Sequence, residues 1–520
     1  MSKNNRATKT VVMLAAFSFL SKVLGFLRET MIAKQYGSSS DSDVFFMALV
    51  TITMFTGIIS ATIGTTLIPI LTEVEENEGR EGKRKHLNNF LNIIGVTSII
   101  ITLVAIIFAP LMLKILARGF DEESFNLVVK LARIGMPTIF VSSIIGVFRG
   151  YLQSEGLFKE TAISSLFVNL VMIGFLMFLS DKFDVSALML TYVIANVIPL
   201  VFQFISLKSI DYKYEFEFHI KDVYMIRVLQ MIPPILIGVA ITDLNKMADN
   251  SMASGLVTGS ISALNYATKL DSFTTGIFIA SLMTAIFPIL SQHANKENQD
   301  GFKNVITRGF NMILLITIPA AIGMMVLAYP IVKLAFERGE FTSTATAMTV
   351  GALTYYSIGL PANGLKQYIS KIFYSLKDTK TPVINSAITV ALNITLNIML
   401  VGSMKHRGLA LATSLANIIT AFVFIYSLRK KIGPFGIKST IIVAIKSLVS
   451  GLLMGLSAHY TYKYLIIRVS SGSIGLVLAL LGAVLLAVIV YVVLLKILGV
   501  KELDDLLIQV KKKIKSKTSK

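Results

Sequence analysis

The stretch Ser21-Lys22-Val23-Leu24-Gly25-Phe26-Leu27-Arg28-Glu29 puts three ionisable side chains inside the first long apolar run of the chain, residues 10–34. A charge at membrane depth costs a few kcal/mol or more unless it faces water or a partner. Lys22 and Arg28 are six positions apart. On a helix that is about 600° of rotation, leaving them about 120° apart on one broad face. Glu29 follows directly and is able to pair with either. Two readings are open: a pair that snorkels near a helix end, or the cationic wall of a polar cavity that receives an anion.

Composition narrows the class. Of 520 residues 54% are hydrophobic and only 15% charged, where a soluble chain carries about a quarter charged. With a mean hydropathy of +0.72, the chain reads as a polytopic membrane protein. The absence of cysteine excludes disulfides and thiolate metal sites. The five histidines are scattered without a paired helical spacing, which speaks against a histidine metal site. A net charge of +19 would suggest nucleic acid in a soluble protein. Here Lys and Arg collecting in cytoplasmic loops account for it, and no nucleic-acid partner is expected. Lys3, Arg6 and Lys9 precede an apolar run too long for a signal-peptide core and without a small-residue cleavage site. That run is read as a retained first helix.

Apolar runs of about twenty residues or more recur about fourteen times, among them 42–72, 124–153, 303–335 and 342–375. The expected fold is an all-α integral membrane protein of about 14 transmembrane helices. Residues 1–208 form a six-helix N-lobe, 209–222 an interlobe linker and 223–430 a second six-helix lobe. Two further helices occupy 431–498, and 499–520 is a basic tail. With the N-terminus inside, Arg80, Lys83, Arg84, Lys85, Arg429, Lys430, Lys431 and the tail all fall on the cytoplasmic side, as the positive-inside rule asks. Both termini are therefore expected in the cytoplasm. The linker segment 211–221 (DYKYEFEFHIK) alternates aromatic and charged residues, as an interfacial amphipathic piece or a short strand would. In the tail, Leu503, Leu506, Leu507, Val510 and Ile514 recur at helical spacing beside lysines. That suits a helix lying on anionic membrane lipids.

The chain repeats internally. Ile68-Pro69-Ile70-Leu71 returns as Phe287-Pro288-Ile289-Leu290, Ala109-Pro110-Leu111 as Tyr329-Pro330-Ile331, and Ile134-Gly135-Met136-Pro137 as Ile358-Gly359-Leu360-Pro361. The offset stays near ~220 residues. Two six-helix lobes in parallel repeat invite a site at their interface near the midplane, exposed to each side in turn. The matched prolines are expected to break or bend helices.

Within the apolar runs the bases Lys22, Arg28, Arg149, Lys269, Lys366 and Lys371 outnumber Glu29, Asp43, Asp243, Asp249 and Asp271. A cavity lined this way has a positive field and selects an anion, phosphate above all, because guanidinium offers bidentate geometry. Arg149 and Lys371 equally suit positions near the headgroups. Asn393 and Asn397 lie at i, i+4 on one helical face. With Thr413 and Asp249 they make one carboxylate and several neutral oxygens, a set that suits Na⁺. The rival reading is amide glue between helices.

Four segments carry a resemblance: the opening stretch, Asp43-Val44-Phe45-Phe46-Met47-Ala48, Tyr266-Ala267-Thr268-Lys269, and Phe373-Tyr374-Ser375-Leu376-Lys377-Asp378-Thr379-Lys380-Thr381-Pro382. They are similar to the MurJ (MviN) family, lipid II flippases of the multidrug/oligosaccharidyl-lipid/polysaccharide exporter superfamily. The likeness runs over nearly the whole chain. It implies a transporter rather than an enzyme, with no catalytic residues. The cargo would be lipid II, undecaprenyl-diphosphate-linked disaccharide-pentapeptide, moved from the inner to the outer leaflet of the bacterial cytoplasmic membrane by alternating access. It further implies Na⁺ or H⁺ coupling or the membrane potential as driver, no other cofactor, and a monomer. By resemblance Lys22, Arg28 and Lys269 hold the diphosphate, with Glu29 or Asp43 orienting or gating. A sodium site falls on Asp249, Asn393, Asn397 and Thr413. The chain departs from the pattern at Lys22 and Lys269, where the family often has arginine, and at Thr56, where a further arginine is replaced by a neutral side chain. Those departures leave room for another undecaprenyl-diphosphate-linked glycan. A drug–cation antiporter would need acids to dominate the cavity. A membrane glycosyltransferase would need catalytic acids on sizeable outer loops, and the loops here are short.

Overall fold

A computed structural model of the chain describes residues 3–294, 299–469 and 472–503. The protein is an all-α integral membrane protein, with no β-strand among the described residues. Among those residues, ten helical stretches are long and apolar enough to cross a bilayer.

The elements run in order as α1 (Lys3–Tyr36), α2 (Ser40–Leu116), α3 (Glu122–Gly135), α4 (Thr138–Ser154), α5 (Phe158–Phe178) and α6 (Val185–Lys208). Then come α7 (Val223–Ala253), α8 (Ser260–Ala294), α9 (Gln299–Val326), α10 (Ala328–Phe336), α11 (Ser343–Ile358) and α12 (Leu360–Ser375). The last four are α13 (Lys380–Met404), α14 (His406–Ile432), α15 (Ile437–Arg468) and α16 (Ser473–Ile497). The 77 residues of α2 are two helices joined at Gly79. Its φ of 72° lies in the left-handed region that glycine enters without steric cost.

Proline sets several breaks. The apolar run 124–153 is not one helix but two, α3 and α4, because Pro137 cannot donate to the turn before it and crowds that turn's carbonyl. The matched run 342–375 parts at Gly359, with Pro361 in the first turn of α12, where a missing N–H costs nothing. The run 303–335 also divides, at Leu327, so that α9 stops at the residue whose carbonyl Pro330 would leave unbonded. Pro69 and Pro110, by contrast, sit inside α2 without ending it.

The chain forms two compact units, Met1–Ser262 with Arg338–Phe341, and Ala263–Glu337 with Thr342–Lys520. In the first, α2 packs against α3, α4 and α7, and α1 against α5. Leu67, Leu71, Val74, Phe90, Phe148 and Leu152 form its buried core. The linker after α6 is neither a helix nor a paired strand. It runs along α2 as a strap, because Asn88, Asn89 and Asn92 donate to the carbonyls of Lys213, His219 and Glu217. Tyr212 and Tyr214 donate back to Asn88 and Asn92. In the second unit α9 packs on α12 and α15, α13 on α14, and α15 on α16. Phe310, Tyr368, Ile372, Phe373 and Phe424 are buried at its centre. The expected surface helix over 502–514 lies, except for its first two residues, outside the described residues.

Candidate functional site

The opening stretch is helical, and its charges are engaged with each other and with α5. Arg28 Nη2 is 2.7 Å from Glu29 Oε1, and Nη1 donates to Asn169 Oδ1 at 3.1 Å. Asn169 in turn donates to the Ser21 carbonyl at 3.3 Å. Glu29 is 3% exposed and Arg28 19%. A buried carboxylate beside a guanidinium offsets part of the cost of holding either at depth. Arg28 Nε is buried with no acceptor, so the guanidinium retains hydrogen-bonding capacity. Lys22 lies almost two turns earlier on α1 and is exposed. Of the two pairings open to Glu29, the one with Arg28 is formed.

Asn169 was missed by sequence reasoning. A lone amide in the apolar α5 was its only signal, and nothing in one dimension shows that α5 lies against α1.

Asp43 has a different position. It is 5% exposed, and its two oxygens accept from Gly259 N and Ser262 N, each at 2.7 Å, and from Ser262 Oγ. These donors stand at the start of α8, where the first N–H groups of a helix lack intrahelical acceptors and the dipole favours an anion. Asp43 therefore acts as a remote N-cap joining α2 to α8. Two further segments of the first unit meet through backbone. Glu340 N donates to the Lys34 carbonyl at 2.8 Å. A Cβ on Gly339 would stand 2.3 Å from that same carbonyl oxygen, and one on Gly37 2.3 Å from the Glu340 oxygen. Both glycines have positive φ, 59° and 58°, so neither the space nor the conformation admits a side chain.

Asp249 is half-buried on α7 in the first unit, whereas Lys269 is half-buried on α8 in the second. Arg149 is near the end of α4, with its Nε buried and without an acceptor. Lys371 lies near the end of α12, 5.8 Å from the Tyr374 ring. Lys366 Nζ donates to Thr389 Oγ1 at 3.0 Å and Asn417 Oδ1 at 2.9 Å. Thr56 donates weakly to its own helix at Thr53 O.

Asn393 and Asn397 are 1% and 0% exposed. Asn397 Nδ2 donates to Asn393 Oδ1, and Asn393 Nδ2 to Thr413 Oγ1, each at 3.0 Å. Three of the four residues considered for Na⁺ are thus contiguous on α13 and α14. Asp249 belongs to the other unit. Amide and hydroxyl oxygens each carry two lone pairs, so this donor set suits a hard monovalent cation even with the hydrogen bonds in place.

Residues 32–474 match the family model described as lipid II flippase MurJ. The probable lipid II flippase MurJ of Buchnera aphidicola subsp. Baizongia pistaciae is 30% identical over 420 residues, 80% of this chain and 82% of that protein. The corresponding protein of Rickettsia prowazekii is 28% identical over 476 residues, 88% of this chain and 93% of its own length. A solved lipid II flippase MurJ in an inward closed conformation superposes with TM-score 0.78 at 25% identity, covering 94% of this chain and 99% of that one. An inward-facing multidrug resistance MATE family transporter of the MOP superfamily shares the fold, with TM-score 0.66 at 13% identity over 79% of this chain and 94% of that one. On the extent of that match, with the expected helices, proline breaks and charged first span, the chain belongs to the lipid II flippase MurJ family.

Proposed function

We propose that this transporter moves lipid II from the inner to the outer leaflet of the bacterial cytoplasmic membrane by alternating access. The observation that carries the reading is the Arg28–Glu29–Asn169 cluster, in a chain of this family. Glu29 and Asn169 fix the guanidinium plane before any cargo arrives, so less side-chain entropy is lost on binding. A diphosphate carries more negative charge than the single carboxylate it meets, and it competes for the same N–H fork. Lys22 and Lys269 add positive field as point charges, without bidentate geometry. The prenyl tail stays in lipid. A monovalent cation at Asn393, Asn397 and Thr413 supplies a coupling charge, and both termini lie in the cytoplasm. The neutral Thr56 favours a second reading, in which the cargo is a different undecaprenyl-diphosphate-linked glycan.

Arg28→Ala is expected to abolish rescue of a flippase-depleted bacterium while the protein still reaches the membrane. Full rescue by that variant rejects the role. An assay of lipid II exposure at the outer leaflet, in cells where this chain is the sole flippase, separates the two cargo readings. Failure of lipid II to appear there, with another lipid-linked glycan appearing instead, selects the second.

A further inference from the structure

Between Glu340 and Glu502 the chain has a single acidic residue, Asp378. Helices α11 to α16 fall within that interval. Asp378 sits in the turn before α13, and its carboxylate is held there by Lys431 and by the Thr381 N–H and hydroxyl. Lys366, on α12, is a half-buried residue in a part of the protein with almost no carboxylate to pair with it. Its Nζ takes two neutral acceptors, Thr389 Oγ1 at 3.0 Å and Asn417 Oδ1 at 2.9 Å. The Phe424 ring lies 5.9 Å away. An ionisable group at membrane depth without a counter-charge marks function by default.

From this geometry we propose that Lys366 is a proton-binding site of the second unit, exchanging a single proton with water. An ammonium has three N–H donors and a neutral amine two, with one lone pair. Both forms satisfy the same two acceptors. The proton therefore arrives and leaves without breaking either hydrogen bond, and only the charge changes.

The acceptors continue into a polar seam between α13 and α14. Thr389 Oγ1 lies 3.0 Å from the Asn385 carbonyl and 3.1 Å from Thr420 Oγ1, and Asn385 Nδ2 donates to Ser427 Oγ. The seam thus extends from Lys366 to within about one and a half turns of the start of α13.

The charges on the elements packed around the site are nearly all of one sign. They are Lys371 on α12 itself, Lys303 and Arg308 with the single acid Asp300 on α9, Lys380 on α13, and Arg407, Arg429, Lys430 and Lys431 on α14, whose first residue is the titratable His406. Helix α11 offers only Tyr355 and Tyr356. Helix α8, which meets α12 where Ile279 approaches Gly364, carries Lys269 and one acid, Asp271. Loading the proton therefore adds a positive charge to a basic, low-dielectric bundle. Any conformation that brings water or a carboxylate closer to Lys366 is favoured by loading, and the equilibrium shifts by that difference.

The inference goes beyond the lipid II reading, and its test needs no lipid II. The chain lacks cysteine, so Glu123→Cys and Ser403→Cys place one spin label on each unit. Distance distributions are recorded in nanodiscs from about pH 5 to about pH 9. With Lys366 intact, the populations are expected to shift with pH. Lys366→Gln keeps two N–H donors but binds no proton, and Lys366→Arg is permanently charged. Each is expected to give a pH-independent distribution, the two at opposite ends of the range seen with Lys366. A Gln variant that keeps the full pH response, or a parent protein without one, overturns the proposal, whatever the cargo assay shows.

Discussion

Lys83 has no exposed side-chain surface, and its ammonium lies 2.6 Å from both Glu75 and Glu155. Arg80 reaches Glu155 as well, at 3.2 Å. Burial alone would raise the Glu155 pKa. The hydrogen bonds from Lys83 and Arg80 outweigh it and hold the carboxyl below its ordinary value. The two acids differ in exposure, 40% for Glu75 against 9% for Glu155, so the loss of Lys83 would fall mainly on Glu155. Removing one partner of a buried pair typically costs about 3–5 kcal/mol, since the other charge stays behind. Lys83→Ala is accordingly expected to lower the unfolding midpoint in detergent markedly. The further change Glu155→Gln, which deletes the stranded charge, should recover part of the loss. If Lys83→Ala unfolds like the parent protein, the buried cation contributes nothing to stability. The sequence showed Lys83 only as one basic residue in a cytoplasmic run. Its enclosure depends on Glu155, 72 positions away, a distance at which pattern is silent.

Elements were legible in proportion to how local their causes are. Pro137 and Pro361 act on the turn beside them, so the breaks between α3 and α4 and between α11 and α12 follow from the sequence alone. The strap over 211–221 was not legible. Its alternating aromatics match a strand, yet its backbone is bonded by asparagine side chains of α2 rather than by a sheet. The meeting of the 36–40 and 338–341 loops was equally hidden, although its glycines are conspicuous once the backbones are seen to touch. That contact makes a sharp prediction. In Gly339→Ala the new Cβ would lie 2.3 Å from the Lys34 oxygen, closer than atoms approach, and the positive φ adds strain. The loop must withdraw. A cysteine placed at Glu340 should then react with a membrane-impermeant maleimide about tenfold faster than in the Gly339 background. Equal rates would mean that the two loops are already apart in the membrane.

For the whole molecule, charge distribution decides which way the bundle faces. Apolar runs define the membrane class without any contact being known, but orientation rests on loop lysines and arginines, and α14 offers the cleanest test. Its 27 residues extend about 40 Å, enough to cross a hydrocarbon core of about 30 Å. The last turn carries Arg429, Lys430 and Lys431, with Lys438 soon after. The other end has Lys405 and Arg407, one at the cap and one in the first turn. Two effects favour the basic C-terminal turn: the positive-inside rule and the negative end of the helix dipole. They separate when tested by fusion. The dipole is indifferent to which side of the membrane the turn occupies, whereas the insertion rule places it in the cytoplasm. A fluorescent protein fused after Gly433 should therefore glow, and alkaline phosphatase fused after Ser403 should be active outside. Replacing Arg429, Lys430 and Lys431 by glutamine should weaken that bias, because Lys438 then faces Lys405 and Arg407 nearly alone, and a fraction of fusions should invert. Unchanged orientation in the triple variant would show that the preceding helices, and not this turn, fix the topology.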